Sequence, residues 1–464
     1  MEYVRKCFND DGIAIKTTSC KITWFTLYVL LMLALTFLVA EYSYAAESLS
    51  LEQAIDAAVR NNNGLKAADA QVEATDAGVL KSASGFLPKV TVSETWSRTD
   101  SPLMALGTKL NQEIVTPADF NPAVMNNPGA ISNYNTRLVV MQPIFNGGKE
   151  YLGRTQAKLA RDASIQDRER TRQETVYNVI KAYYSLLLAR EYHKVALQSL
   201  ETSMANVKLA EARYKAGAVL QSDLLRAKVQ LAEVREMMTR SENGMKLASA
   251  GLNFAMGVSQ GSEYEVSGDL LKQEQTGDIT TLITEATAKR PDLQSMNLNR
   301  LNADKSVTMA RTDYLPSLNL MGQVDWNSEN PAGSEGKSWA MMAVLQWNLF
   351  DGLVTKSNVK EATAMSSRMR SLDDQTREAI QFQVRQAYYN STASLDRIAA
   401  STSSIQEAEE GLRIVQKRYE TGMTTFVDVL GAESSLIRAR TNALQALYDN
   451  NIAQAELKLA VGTL

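Results

Sequence analysis

Nearly the whole chain is a duplication, and this constrains its fold more than anything else in the sequence. RYKAGAVLQSDLL (Arg213–Leu225) returns as RYETGMTTFVDVL (Arg418–Leu430), so Arg, Tyr, Gly, Asp and Leu each recur 205 positions later. IFNGG (Ile144–Gly148) keeps that offset with LFDGL (Leu349–Leu353), as do Ala182–Tyr184 with Ala387–Tyr389 and Gly257 with Gly462. Upstream the offset is 228: GFLPKVTV (Gly85–Val92) matches DYLPSLNL (Asp313–Leu320), and Leu65 matches Leu293. The 23-residue difference falls between about Trp96 and Gln142, where the first half carries the longer insert RTDSPLMALGTKLNQEIVTPADFNPAVMNNPGAISN. Two equivalent halves must therefore be built.

Proline placement divides each half. All nine prolines lie within 88–143 or 291–331, and residues 144–290 and 332–464 are otherwise rich in good helix formers. Proline costs about 3 kcal/mol inside a helix, so these stretches predict long helices over 148–215 and 352–420. Return helices are predicted over 222–256 and 425–462. At about 1.5 Å per residue a long helix reaches about 100 Å and its return partner about 50 Å, leaving room for a second short helix such as Leu65–Phe86 stacked end to end.

Between the helices the period changes from helical to alternating. Leu318, Leu320, Val324 and Trp326 share one side of a strand, with Asn319, Gln323, Asp325 and Asn327 on the other. Trp339, Met341, Ala343, Leu345 and Trp347 share one side of the next. Strand hairpins are thus expected at about 87–145 and 316–350, the first less regular because Glu94 breaks it. Four of the five tryptophans (Trp96, Trp326, Trp339, Trp347) lie in these strands. Trp339 and Trp347 stand about 26 Å apart along a strand, which suits the apolar band between the aromatic girdles of an outer-membrane barrel. A soluble hairpin packing its tryptophans into a core is the competing reading.

The first 45 residues read as an export signal: Arg5, Lys6, Lys16 and Lys21 precede an apolar run from Trp24 to Ala40, and Ser43 and Ala45 are placed for cleavage after Ala45. A retained membrane anchor is the alternative. Cleavage would remove both cysteines, Cys7 and Cys20. With one histidine, His193, zinc sites and Cys/His nucleophiles are disfavoured. A formal charge of −3 gives no reason to expect nucleic acid. No cofactor and no catalytic constellation is expected, and the chain reads as no enzyme.

Four strands cannot close a membrane barrel alone, since single-chain barrels need at least eight and lipid tolerates no unpaired edge. Three copies would supply twelve. The fold class expected is mixed α and transmembrane β, in two repeats: 46–257, an inter-repeat segment 258–279, and 280–464.

In this order the motifs SLEQAIDAAVRNNNGLKAADAQVEA, the two LP strand entries, QPIFNGG with WNLFDGL, and the doubled RYxxGxxxxxDxL make the chain resemble the TolC family of outer-membrane efflux proteins. The resemblance covers nearly all of the chain after the leader. It implies a homotrimer with a twelve-stranded barrel in outer-membrane lipid, continued by a long α-helical periplasmic tunnel. It also implies a periplasmic adaptor and an inner-membrane pump of RND, ABC or MFS type as partners, with 258–279 joining a belt around the tunnel. Ala216, Gly217, Ala218, Thr421, Gly422 and Met423 would be the adaptor-docking tips, and Asp428, Asp223 and Tyr419 the periplasmic gate. The family's second gate acid is replaced by Gly431. Thr424 stands where an arginine often latches neighbouring hairpins, so the latch to Asp223 is not carried over.

Both aspartates have a plainer explanation, since acids favour the first turn of a helix and Thr425 with Asp428 has capping-box spacing. The tip glycines equally suit helix C-caps. His193 is expected in a surface or packing role, Tyr183–Tyr184 and Tyr388–Tyr389 in hairpin packing, and Arg161–Glu174 on a solvated face. The insert is expected as a surface loop whose PLMALGTKL is apolar enough to lie against lipid. An efflux duct, a duct for type I protein secretion, and a trimeric coiled-coil surface protein are the functions that fit this architecture, the last poorly because both hairpins are internal.

Overall fold

The computed structural model describes residues 47–464 apart from Glu263 and Thr276. The expected signal segment and its cleavage site at Ala45 lie outside the described residues. In chain order the elements are β1 (Glu47–Leu49), α1 (Leu51–Asn61), α2 (Asn63–Ala83), β2 (Lys89–Thr99), α3 (Pro102–Asn111), α4 (Pro122–Asn126), β3 (Ile131–Asn146), α5 (Lys149–Lys215), α6 (Gln221–Met256) and β4 (Tyr264–Val266). The second half follows with α7 (Ile279–Lys289), α8 (Pro291–Arg311), β5 (Ser317–Ser328), β6 (Gly336–Gln346), α9 (Val354–Glu420) and α10 (Phe426–Val461).

The duplication is kept to the residue. The long helices α5 and α9 have 67 residues each, the return helices α6 and α10 have 36 each, and α2 and α8 have 21 each. Each return helix ends on a left-handed glycine, Gly257 (φ 71°) and Gly462 (φ 83°), and there meets the start of the short helix stacked beyond it. A Cβ on Gly257 would lie 2.8 Å from the Asn61 carbonyl oxygen and from Asn62 Cα, so only glycine allows the two helices to stack so closely. The split partner expected beside each long helix is thus present in both halves.

One core sits at this junction. Leu187, Val179, Leu252, Met256, Ala54 and Ala58 are fully buried there, and Tyr183 packs edge-to-face on Tyr184 with ring centroids 6.1 Å apart. The Tyr183 hydroxyl also reaches the carbonyls of Leu49 (3.0 Å) and Ser267 (2.5 Å), so it does more than pack a hairpin. It ties down a parallel two-stranded ribbon, β1 with β4, that periodicity did not reveal. Arg190 holds the inter-repeat segment to α5 by donating to the Val266 (2.9 Å) and Gly268 (2.6 Å) carbonyls.

The four long strands form one antiparallel sheet in the order β2-β3-β5-β6. Residues directly opposite each other share a face, so the registers sort the side chains. Val92 faces Leu138, Leu138 faces Val324, and Val324 faces Trp339. Continuing that face gives Val90, Val140, Leu320, Met341, Ala343 and Leu345. The opposite face carries Thr91, Ser93, Thr95, Asn133, Asn135, Arg137, Gln323, Asp325 and Asn327. Away from the helices the sheet is apolar on one side and polar on the other, while at the helix end the second side also carries Met141, Met321, Met342 and Val344; the edge strands β2 and β6 are unpaired in the single chain.

The insert overturns one expectation. PLMALGTKL forms α3, and it lies on the polar face rather than the apolar one. Gln112, just past the helix, is 1 % exposed and donates through Nε2 to the Ser132 carbonyl (2.8 Å) and Asn133 Oδ1 (2.9 Å). A polar anchor needs a polar partner, and the Asn133–Asn327 row supplies it.

Candidate functional site: paired tips and a two-faced sheet

The opening motif builds the two hairpin tips. In each, the long helix ends in a Schellman turn: Gly217 N–H donates to the Tyr214 carbonyl (2.9 Å) and Ala218 N–H to the Arg213 carbonyl (2.8 Å). Gly422 and Met423 repeat this on Tyr419 (3.1 Å) and Arg418 (2.8 Å). The glycines adopt φ of 69° and 76° with open space around them, so backbone conformation alone selects them. Ala216, Gly217, Ala218, Thr421, Gly422 and Met423 are all exposed, at the free end of the helices.

Below the tips the two hairpins grip each other. Ala210 of α5, Ala227 of α6, and Phe426 and Val429 of α10 form a small buried core, against which Val415 and Tyr419 of α9 pack. Tyr419 is half-buried against Phe426 (5.5 Å between centroids), and the Arg213 guanidinium sits 4.8 Å above the Tyr419 ring. Arginine over an aromatic face is a favourable cation–π contact, and here it joins the first hairpin to the second. Deeper, Asn206 Nδ2 donates to both carboxylate oxygens of Glu433, at 2.8 and 3.0 Å. Burial pushes the Glu433 carboxyl up, and the Asn206 bond only partly offsets this. Arg213 stood out in the sequence only as a repeated residue and Glu433 not at all, because both gain their meaning from the other hairpin.

The two tip aspartates differ. Asp428 Oδ2 accepts from Thr424 Oγ1 (2.6 Å), Thr425 Oγ1 (2.7 Å) and Thr425 N–H (2.9 Å), completing the capping box of α10. These bonds hold its carboxyl down at about 2. All three fall on one oxygen, and the residue is exposed. Thr424, at the family's frequent arginine position, is engaged within its own hairpin. Asp223 lies half-buried in the first turn of α6, whose N-cap, Leu220, makes no side-chain cap bond.

On the sheet, Trp96, Trp326 and Trp339 all project from the apolar face near the end remote from the helices; Trp96 pairs with Tyr134, and Trp326 with Thr136 and Lys337. Trp347 falls one residue past β6 at the other end, its indole Nε1 donating to the Tyr314 carbonyl (3.0 Å). Glu94 shares the apolar face at the remote end, where Oε1 accepts from Ala332 N–H (2.9 Å). The polar face holds a connected row: Arg137 Nε donates to Asp325 Oδ1 (2.7 Å), and Asn135 bridges Asp325 and Asn327 (both 3.1 Å). Among the described residues no helix is long and apolar enough to cross a membrane, and no His/Cys/Asp/Glu group is placed to hold a metal. His193 Nδ1 is hydrogen-bonded to Ser241 Oγ (3.2 Å), which ties α5 to α6.

Two long helical hairpins joined to a two-faced sheet define a class. The chain belongs to the outer membrane efflux protein family, whose model matches residues 54–258 and 282–463. That family is one of channel-forming proteins, not enzymes. The chain is 26% identical over 345 residues to the alkaline protease secretion protein AprF of Pseudomonas aeruginosa, covering 72% of this chain and 70% of the relative. It is 26% identical over 322 residues to the outer membrane protein TolC of Vibrio cholerae, covering 67% and 72%. The Campylobacter jejuni CmeC outer membrane channel superimposes with a TM-score of 0.76 at 20% identity, over 89% of this chain and 85% of that one, which establishes the shared fold.

Proposed function

We propose that three copies of this chain close a twelve-stranded barrel in the outer membrane, continued by a helical periplasmic tunnel, and that this assembly is the passive exit duct of a tripartite efflux system. The observation that carries the reading is the sheet. It has one apolar face, an opposite face that is polar over the part remote from the helices, and two unpaired edge strands of 11 residues each, and it continues directly into helices about 100 Å long. Lipid on one face, water on the other and edges closed by neighbours satisfy every surface at once. The aromatic residues Trp96, Trp326, Trp339 and Trp347 then mark the two interfaces, and residues 1–45 direct export.

On this reading the tips face the periplasm. Ala216–Ala218 and Thr421–Met423 meet an adaptor, which joins the duct to an inner-membrane pump of RND, ABC or MFS type. Asp428, with Asp223 and Tyr419 behind it, lines the narrow entrance; three carboxylates around one axis favour cations. Energy comes from the pump. A second reading, protein secretion of type I, draws support from the likeness to a relative named for protease secretion.

The test is photo-crosslinking in living cells from a probe at Ala218 or Met423, with captured proteins identified by mass spectrometry. Capture of a periplasmic adaptor is expected, and its kind assigns efflux or secretion. Capture of no adaptor, in cells that express the neighbouring genes, refutes the tripartite reading.

A further inference from the structure

The insert that distinguishes the first half is folded onto the polar face of the sheet, the side that faces the lumen in the proposed barrel. We infer that three inserts meet on the axis and plug the outer mouth of the duct, each docking its free apolar face on the other two copies. This inference rests on the trimeric reading above.

Three observations place the insert. An ideal Cβ on Gly336, the first residue of β6, would lie 1.8 Å from the Asn111 carbonyl oxygen, so the insert's backbone fills the space on that side of the strand. Gly336 pairs with Asn327, and a side chain there would share the face of Asn327 and Asn135. Gln112 and Glu113 add two anchors, on Asn133 Oδ1 (2.9 Å) and the Lys337 N–H (3.4 Å). The insert is therefore seated at the sheet's remote end, across the polar face.

What it turns towards the lumen is apolar. In α3, Ala105 is fully buried against the rest of the protein, while Leu103 and Met104 are 82 % and 62 % exposed and Leu110 is 48 % exposed. Positions 103, 104, 107 and 110 share one helix face, and Gly107 at its centre has open space around it. An apolar helix face is out of place in a water-filled channel. The size of the channel says what covers it. Twelve strands about 4.8 Å apart, tilted about 40°, close into a barrel about 24 Å across between opposite strand backbones, and inward side chains narrow the mouth further. Three helices of about 10 Å diameter packed around an axis span about 22 Å. Three copies of α3 carried on the wall of so narrow a mouth therefore cannot stay apart, and they bury each other's Leu103, Met104 and Leu110, the small Gly107 letting them approach.

The experiment uses the full chain in outer-membrane preparations, with Cys7→Ser and Cys20→Ser so that an added Met104→Cys stands alone. After mild oxidation, a disulfide-linked pair of chains is expected on a non-reducing gel, since two of three axial thiols can join. Native mass spectrometry of the same sample reads the oligomer. A trimer with no linked pair at Met104→Cys or at Leu103→Cys overturns the plug and leaves the trimeric duct standing; a monomer overturns both. As a second measurement, Gly336→Val drives the insert off its seat without touching the apolar face, and single-channel conductance should rise several-fold. Unchanged conductance from intact Gly336→Val trimers contradicts the plug.

Discussion

Asn62 and Arg290 hold equivalent places in the two halves, and each donates to a carbonyl near the end of the return helix stacked against it: Asn62 Nδ2 to Ala255 (3.0 Å) and Arg290 Nη1 to Ala460 (3.2 Å). Each is also the N-cap of the next short helix. The Asn62 side chain thus closes one helix and opens the next, satisfying an orphan carbonyl and two amides, whereas the Arg290 side chain satisfies the carbonyl alone. The chemistry differs. Asn62 accepts from Gly64 N–H (2.8 Å) and Leu65 N–H (3.3 Å), whereas Arg290 is 2 % exposed and pairs with Asp292 (2.5 Å).

Truncating the two should therefore cost different amounts. Asn62→Ala removes a cap, worth about 1 kcal/mol. Arg290→Ala leaves Asp292, the Ala460 carbonyl and Gln383 without their donor in a buried place, about 3 kcal/mol or more. Thermal melts followed at 222 nm should rank the variants in that order; equal melting temperatures would show that the junctions are not the weak points.

Burial pushes the Asp292 carboxyl up, but the hydrogen bonds and charge of Arg290 outweigh it and the net shift is downward. A lowered folded-state pKa stabilises above the unfolded value and is lost as pH falls through the folded one. Wild-type stability should fall below about pH 4, and the Arg290→Ala variant should lack that part of the fall. Parallel acid titration curves would remove Asp292 from the account.

At the tip, Asp428→Asn keeps an oxygen for the Thr425 capping box while removing the charge. Divalent-cation block of the channel should weaken and the helical signal should stay unchanged. Because the Asp428 carboxyl is held at about 2, block in the wild type should persist unaltered from pH 7 to about pH 4. If neither block nor conductance changes in Asp428→Asn or Asp428→Ala, Asp428 is a helix cap and no gate.

Glu433 predicts the opposite pH dependence. Burial raises its folded-state pKa, so the folded state holds its proton longer than the unfolded one and stability falls as pH rises from about 4.5 through the folded value. Glu433→Gln keeps the contact with Asn206 and removes the charge. Hydrogen exchange in α5 and α10 around these residues should slow relative to wild type at pH 8 and converge at pH 4; a difference independent of pH would deny the carboxylate this part.

The two faces of one strand provide another contrast. Met341→Arg points into the proposed lipid layer and should cost about 2–4 kcal/mol, with loss of trimer yield. Its neighbour Ala340→Arg points to the lumen and should assemble normally. Equal tolerance at both positions would place the sheet in water.

Much of this was legible in the sequence, for physical reasons. Proline exclusion and the twofold repeat located every long helix to within two residues, because a helix of 67 residues leaves no room for ambiguity. Alternation separated Trp339 and Met341 from Ser338 and Ala340. Features made by distant contacts were not legible. The β1–β4 ribbon is three residues long on each side, too short for a period. PLMALGTKL announces an apolar face without saying on which side of the sheet the helix lies; Gln112 and Gly336 decide that, and neither carries a local signal. Arg213 on Tyr419, and Asn206 on Glu433, join residues more than 200 positions apart, so only the fold could pair them.

The central claim is that three chains close one duct, since four strands leave β2 and β6 unpaired in lipid. Native mass spectrometry of the full protein, extracted from outer membranes in mild detergent, tests it most directly. A single species at three times the mass of the processed chain is predicted. A membrane-extracted monomer or dimer would contradict the account.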